Sequence, residues 1–315
     1  MKRIIIDTDM GSDDYVAIQL AMLSKKIKVE GISLVHGNTT MENVKYNIFK
    51  TLDMINKNGE VKVYEGLSSN LKKFVKDDDD NAHGSNGFSD VKYDLVKGKI
   101  ESLNSIDWMI DLVNNNPKKI SIVAIGPLTN IASAILKNKE FSKNIKSLII
   151  MGGAENFGNI TPYAEFNFYK DPYATSVVFQ SGIKNIVMIG FNITKKVTLN
   201  SNLEAMLLNS NNEEAKFLYD ITRASAQLDR WKNKADGAII NDAINICYLI
   251  NKNVLNLKKA KVKIELEDIE RLGESKVFYN KEHNCKIAVD VNNKKCIDII
   301  FKTLMPEIYK KEKEK

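Results

Sequence analysis

Arg3-Ile4-Ile5-Ile6-Asp7-Thr8-Asp9-Met10-Gly11-Ser12-Asp13-Asp14-Tyr15-Val16-Ala17-Ile18-Gln19-Leu20 decides both the fold class and most of the chemistry. Ile4 to Ile6 form an apolar run that reads as a buried strand. Gly11 lets the chain turn and Ser12 is placed as an N-cap. Asp13 and Asp14 then open a helix carrying Val16, Ile18, Leu20 and Leu23. Four carboxylates thus stand within eight residues at a strand's carboxyl end, where open α/β sheets bind their ligands. Carboxylates this dense raise one another's pKa unless a cation lies among them. All-oxygen donors suit Ca²⁺ or Mg²⁺, whereas zinc draws on Cys and His. The plainer account gives Asp13 and Asp14 to the helix dipole and leaves Asp7 and Asp9 solvated. It does not explain why two of the four sit directly on the end of a buried strand.

Outward from this stretch, apolar runs alternate with helical patterns. Strands are expected at 4–6, 29–35, 61–64, 120–125, 145–151 and 186–189, with helices at 44–55, 106–113, 130–136 and 172–180 between them. The alternation predicts an α/β fold with a mostly parallel, Rossmann-like central sheet flanked by helices. Residues 203–231 read as helical and 242–249 as a short buried helix. Antiparallel strands near the C-terminus are expected at 260–266, 277–279 and 286–291, followed by a helix at 295–304. No repeat and no Pro-, Gly- or Ser-rich linker interrupts the chain, so 1–315 reads as one domain.

At 315 residues and 43% hydrophobic content the chain can bury a full core. No stretch approaches membrane-span length, and the apolar run after Met1-Lys2-Arg3 is too short for a signal peptide. Cys247, Cys285 and Cys296 lack metal spacing, and their scarcity points to a reducing cytoplasm. The net charge of +6 is dispersed without a basic block interleaved with aromatics, which argues against nucleic acid as partner. The tail Lys310-Lys311-Glu312-Lys313-Glu314-Lys315 reads as a solvated end. Asp77-Asp78-Asp79-Asp80 reads as an exposed loop tip, and the adjoining His83-Gly84-Ser85-Asn86-Gly87 as a lid over a site.

Further polar groups follow expected strands. His36-Gly37-Asn38 supplies a turn with an amide, and Ile125-Gly126-Pro127 frees a backbone carbonyl that a hard cation can use. Met151-Gly152-Gly153 permits close approach of a ligand or another chain segment. Asn159, Glu165 and Asn167 put two amides and a carboxylate in one loop, and Asn241-Asp242 opens an apolar helix. Each has a dull explanation alone, as turn residue, helix cap or core methionine. Together they converge on the strand ends of one sheet.

Asp7-Thr8-Asp9-Met10-Gly11-Ser12-Asp13-Asp14, the Gly-Asn at 37–38, Gly-Pro-Leu-Thr-Asn at 126–130, Met-Gly-Gly at 151–153, the Asn159/Glu165/Asn167 loop and Asp242 occur in the order found in inosine-uridine-preferring nucleoside hydrolases. The chain resembles that family from Asp7 to Asp242, with a weaker echo at Arg271-Leu272-Gly273. The resemblance implies Ca²⁺ held by Asp9, Asp14, Asp242 and the carbonyl of Ile125, with Asp7 organising from behind. It places Asp13 and Asn38 on the ribose 2′ side, Asn159, Glu165 and Asn167 on the 3′ and 5′ hydroxyls, and Met151 beneath the ring. The implied reaction is hydrolysis of the N-glycosidic bond of a small-molecule ribonucleoside by a water in the cation's shell. Asp9 would act as base through an oxocarbenium-like transition state. A homo-oligomer, dimer or tetramer, is also implied.

The departure is at Asn241, where the family generally carries a histidine that protonates the departing base. An amide hydrogen-bonds but is no acid near neutral pH. His83, in the lid-like segment, is the candidate acid, and Trp231 a second device if its indole stacks on the base. His36 reads as a strand-end residue and His283 as surface. Two other readings stand beside the hydrolase. One is a nucleoside- or ribose-binding homologue with little turnover. The other is a phosphatase of the haloacid dehalogenase type with Asp7 as nucleophile. The latter expects Thr or Val where Gly11 stands and a later Gly-Asp-x-x-x-Asp that does not occur.

Overall fold

Ile4 and Ile6 point into one hydrophobic core and Ile5 into another, because successive side chains on a strand leave opposite faces of the sheet. The strand that carries them is β1 (Lys2–Thr8). In the computed structural model, which describes residues 1–72, 82–279 and 282–313, it sits inside a nine-stranded sheet. The acidic run Asp77–Asp80 and the last two residues of the lysine-rich tail lie outside the described residues.

With β2 (Ile27–Leu34), β3 (Val63–Glu65), β4 (Ile120–Ala124), β5 (Ser147–Met151) and β6 (Ile186–Ile189), β1 makes a parallel array ordered β3-β2-β1-β4-β5-β6. β7 (Thr198–Leu199) and β8 (Ala238–Ile239) form a separate antiparallel pair. β9 (Leu255–Ile264), β10 (Ser275–Phe278) and β11 (Cys285–Val291) extend the main sheet. β11 runs parallel to β6 and antiparallel to β9, and β10 is antiparallel to β9 at the edge. The strand order reverses between β1 and β4. Connections leaving these two strands diverge and open a crevice at their carboxyl ends, the usual ligand position in such sheets.

The helices are α1 (Ser12–Leu23), α2 (Met41–Met54), α3 (Ser105–Asn114), α4 (Thr129–Lys137), α5 (Lys139–Asn144), α6 (Phe166–Lys170), α7 (Pro172–Gln180), α8 (Phe191–Thr194), α9 (Ser201–Leu208), α10 (Glu213–Leu228), α11 (Ala243–Ile250), α12 (Asn293–Leu304) and α13 (Pro306–Lys313). Residues from α1, α2, α10, α11 and α12 fill the core on the Ile4/Ile6 face, and those from α3, α4 and α7 fill the Ile5 face. With apolar layers on both sides, the parallel strands carry near-continuous apolar runs. Among the described residues no helix is long and apolar enough to cross a membrane. Cys247, Cys285 and Cys296 are buried free thiols.

The architecture expected from the alternation is present, and three local readings are corrected. Residues 203–231 are not one helical run. They divide into α9 and α10, with Asn212 capping the second through Ala215 N–H, and end in a π-helical turn, Asp229–Asn233. The polar residues Asn209 to Asn212 compete with helical hydrogen bonding and end α9. Ser12 is the first helical residue and not the cap. Gly11 occupies the N-cap, and the Asp14 carboxylate accepts its N–H at 2.8 Å. The sharp turn falls on Met10, a fully buried residue at φ 51°, and not on Gly11, whose φ of −80° suits any residue. Gly11 is needed for space, since a Cβ there would lie 2.6 Å from Nδ2 of Asn38.

Candidate active site

The end of β1 and the start of α1 bring the opening carboxylates under the crevice. Asp9 is fully buried; its Oδ2 accepts the backbone N–H of Asn38 at 2.9 Å, and its Oδ1 has no hydrogen-bond partner. Gly37 makes that approach possible, because a Cβ there would fall 1.9 Å from Asp9 Oδ2. Asp14, also fully buried, accepts from the Thr8 hydroxyl, Gly11 N–H and, at 3.4 Å, Asn38 Nδ2. Asp242 enters from the residue before α11, more than two hundred positions later in the chain. One oxygen each from Asp13, Asp14 and Asp242 lie within 4.8 Å of one another.

Burial raises these acids, and their neighbours add to it. Burial, then Asp14 and Asp13, hold Asp9 well above the usual carboxylate range. Asp242 is raised well up by burial, then by Asp13, Asp14 and Asp9. Asp14 is pushed up to about 7 by burial and then by Asp13. Such a cluster is stable when it shares protons or when a cation sits among its oxygens. Asp7 stands apart. Its Oδ1 accepts from Ser33 Oγ and from Asn130 Nδ2 at 2.8 Å, so it ties β1 to β2 and α4 behind the site. Burial pushes it up to about 7. Sealed there, it is out of reach as a nucleophile toward phosphate, which removes the phosphatase reading.

Above the carboxylates lies an open cleft. Asp13, Asn38 and Asp242 line its floor together with Ile125, whose carbonyl accepts from Asn167 Nδ2 at 3.1 Å. Met151, Asn159, Glu165 and Asn167 line one side. Glu165 caps α6, its Oε1 accepting Asn167 N–H at 3.0 Å and its Oε2 accepting Gly153 N–H at 2.7 Å. Burial, opposed by these N–H donors, brings its carboxyl up to about 7. Asn159 Oδ1 accepts from Phe166 N–H at 2.8 Å, which closes the loop that carries both.

His83 and Asn241 also line the cleft, both beside Asp13. Ser12 N–H donates to His83 Nδ1 at 3.3 Å, so Nδ1 is the acceptor and the ring proton is assigned to Nε2. That Nε2 lies 3.6 Å from Asp13 Oδ1. Asn241 Nδ2 donates to Asp13 Oδ2 at 3.0 Å while its Oδ1 accepts from Thr194 at 2.7 Å. His36 is buried, with Nε2 2.9 Å from Thr129 Oγ1, and His283 is exposed; neither lines the cleft. Trp231 is 73% exposed on the π-helical turn and does not line it either. The wider turn carries Trp231 outward and leaves Asp229, Lys232 and Asn233 facing the cleft.

Asp229, Lys232 and Asn233 were not identified from the sequence. The signal was present: Leu218, Thr222 and Ser225 mark the buried stripe of α10, and Asp229 continues it at helical spacing.

The family model described as inosine-uridine preferring nucleoside hydrolase matches residues 4–298. A probable uridine nucleosidase 2 of Oryza sativa subsp. japonica is 33% identical over 271 residues, 85% of this chain and 80% of that protein. Among solved structures, a plant nucleoside hydrolase, PpNRh1, superposes with a TM-score of 0.90 at 28% identity, covering 96% of this chain and 98% of its own. A purine-preferring ribonucleoside hydrolase from Gardnerella vaginalis gives 0.87 at 27% identity, covering 95% and 96%. With the match spanning β1 to α12, the chain belongs to the inosine-uridine preferring nucleoside hydrolase family and is a nucleoside N-ribohydrolase.

Proposed function

We propose that the chain cleaves the C1′–N bond of ribonucleosides to ribose and free base, with Ca²⁺ held by Asp9, Asp14, Asp242 and the Ile125 carbonyl. The observation that carries this reading is the approach of Asp13, Asp14 and Asp242 within 4.8 Å on the floor of a cleft walled by amides and a carboxylate. The donor set fits a hard cation: it is all oxygen, buried beneath the cleft, and includes Asp9 Oδ1, which has no hydrogen-bond partner. When bound, Ca²⁺ neutralises these acids, gathers vicinal sugar hydroxyls and makes a nearby water more acidic.

The protein's own groups account for the rest. Asp9 has Oδ1 free to accept a proton from the attacking water. Glu165, fixed by three backbone N–H groups, cannot swing away as the ligand enters. With Asn159 and Asn167 it grips the sugar and places negative charge near a ring that turns oxocarbenium-like. His83 presents its Nε2–H beside Asp13 as a hydrogen-bond donor to the departing base. Asn241 orients Asp13 by hydrogen bonding and carries no proton to give.

Asp9→Asn tests the reading. It removes the proton acceptor and one of the proposed cation ligands, so single-turnover release of ribose should nearly cease. Near-normal release by a folded Asp9→Asn protein would refute the mechanism.

A further inference from the structure

The segment Arg271-Leu272-Gly273 has no part in hydrolysis as described. It lies between β9 and β10, more than a hundred positions after the loop that carries Asn159 and Glu165. In the sheet β10 is separated from β5 by β9, β11 and β6. Strand pairing therefore does not bring this turn to the residues that follow β5, yet it meets them in three places.

Ser275, the first residue of β10, is buried. Its hydroxyl accepts the Ala154 N–H at 2.9 Å and donates to the Ala154 carbonyl at 2.7 Å. Gly153, next in the chain, is the residue whose N–H holds Glu165 Oε2 at 2.7 Å. The Arg271 guanidinium, fixed by two bonds to Glu274 at 2.7 and 2.5 Å, lies 4.2 Å from the centre of the Tyr163 ring. Tyr163 adjoins Ala164, whose carbonyl accepts Asn159 N–H at 3.1 Å. Gly273, at φ 80°, lies against α6, the helix that Glu165 caps, and a Cβ there would sit 3.0 Å from Tyr169 Cα. The three contacts bracket Glu165: one beside the residue that donates to it, one two positions before it and one on the helix after it. A carboxylate held by backbone N–H groups is only as well placed as those groups are.

We propose that the turn 271–275 positions the sugar-gripping loop, with Ser275 as the positioning residue for Glu165 and Arg271, through Tyr163, for Asn159. Without the serine hydroxyl, a buried N–H and a buried carbonyl of Ala154 lose that partner, and the segment shifts to satisfy them elsewhere. Gly153 and Glu165 shift with it. A displacement of about 1 Å in a group that orients substrate is enough to cost about 100-fold in rate. This inference rests on the ribonucleoside reading above, in which the loop holds the 3′ and 5′ hydroxyls.

The test compares kcat/KM for uridine and 5′-deoxyuridine in wild type, Ser275→Ala and Arg271→Met, with folding checked by melting temperature. Wild type should favour uridine by about tenfold or more, because the loop grips the 5′ hydroxyl. Ser275→Ala should lose about 10- to 100-fold on uridine and far less on 5′-deoxyuridine, so the ratio falls toward one. Arg271→Met should lower the ratio in the same direction by a smaller factor. If Ser275 only stabilises the fold, both substrates fall together and the ratio stands, which overturns the proposal. Should Ser275→Ala fail to fold, Arg271→Met decides, and an unchanged ratio there overturns it equally. So does a wild type that cleaves the two nucleosides at the same rate, since the loop then grips no 5′ hydroxyl. A wild type that cleaves no ribonucleoside refutes the underlying function first.

Discussion

Ser12 Oγ lies 2.8 Å from Nδ1 of His83, and the backbone N–H of the same serine reaches that nitrogen at 3.3 Å. The first residue of α1 thereby holds a loop residue more than seventy positions away and decides which ring nitrogen carries the proton. With Nδ1 committed to Ser12, Nε2–H is directed toward Asp13 at the cleft.

A hydrogen-bond donor to the leaving base matters in proportion to how poor that leaving group is. His83→Ala should slow cleavage of natural ribonucleosides by about 10²- to 10³-fold. A p-nitrophenyl riboside, which departs as a stable anion, should lose far less. Equal losses on the two substrates would assign His83 to binding or structure.

Gly37→Ala should damage the cation site and spare the fold. The new Cβ would meet Asp9 Oδ2 at 1.9 Å, so either the carboxylate or the Asn38 turn must shift. Ca²⁺ affinity, measured by calorimetry, should fall about 10- to 100-fold, with the melting temperature of the chelated protein little changed. Unaltered affinity would mean that Asp9 is not a ligand.

Asp242→Asn separates mutual repulsion from cation binding. Asp13, Asp14 and Asp9 all raise Asp242, so its neutral replacement should stabilise chelator-treated protein above neutral pH. The same variant should lose most of the rise in melting temperature that Ca²⁺ gives the wild type, since a ligand of the folded state stabilises it by mass action. A full Ca²⁺-induced rise would place the ion elsewhere.

Glu214 carries a pH dependence remote from the cleft. Burial pushes its carboxyl from the ordinary 4.5 up to about 7, and its Oε1 has no hydrogen-bond partner. The folded chain therefore holds this proton more tightly than the unfolded chain. Its contribution to stability is complete below pH 4.5 and is lost as pH rises through about 7. Glu214→Gln should melt higher than wild type at pH 8, with the advantage vanishing by pH 5. An advantage that is constant with pH would contradict the assignment.

What was legible in the sequence was what is local or repeated. Ile4 to Ile6 and Asp7 to Asp14 declare a strand, a turn and a helix within one short segment, and the sheet follows from repetition of that unit. The meeting of Asp242 with Asp13 and Asp14 is not local and was reached only through the family's motif order. Phase errors account for the rest. Reading 203–231 as one helix hid the break at 209–212 and the π-helical turn, and with them the difference between the outward Trp231 and the inward Asp229. The left-handed backbone at Met10 gave no sign either, because that side chain disfavours the conformation and only the surrounding packing imposes it.

The most direct test is ribose release from uridine and inosine by the purified protein, after exhaustive chelation and again after Ca²⁺ is restored. The account predicts no release from the chelated protein and recovery with Ca²⁺. Full-rate release under chelation, or none from any ribonucleoside with Ca²⁺ bound, would contradict it.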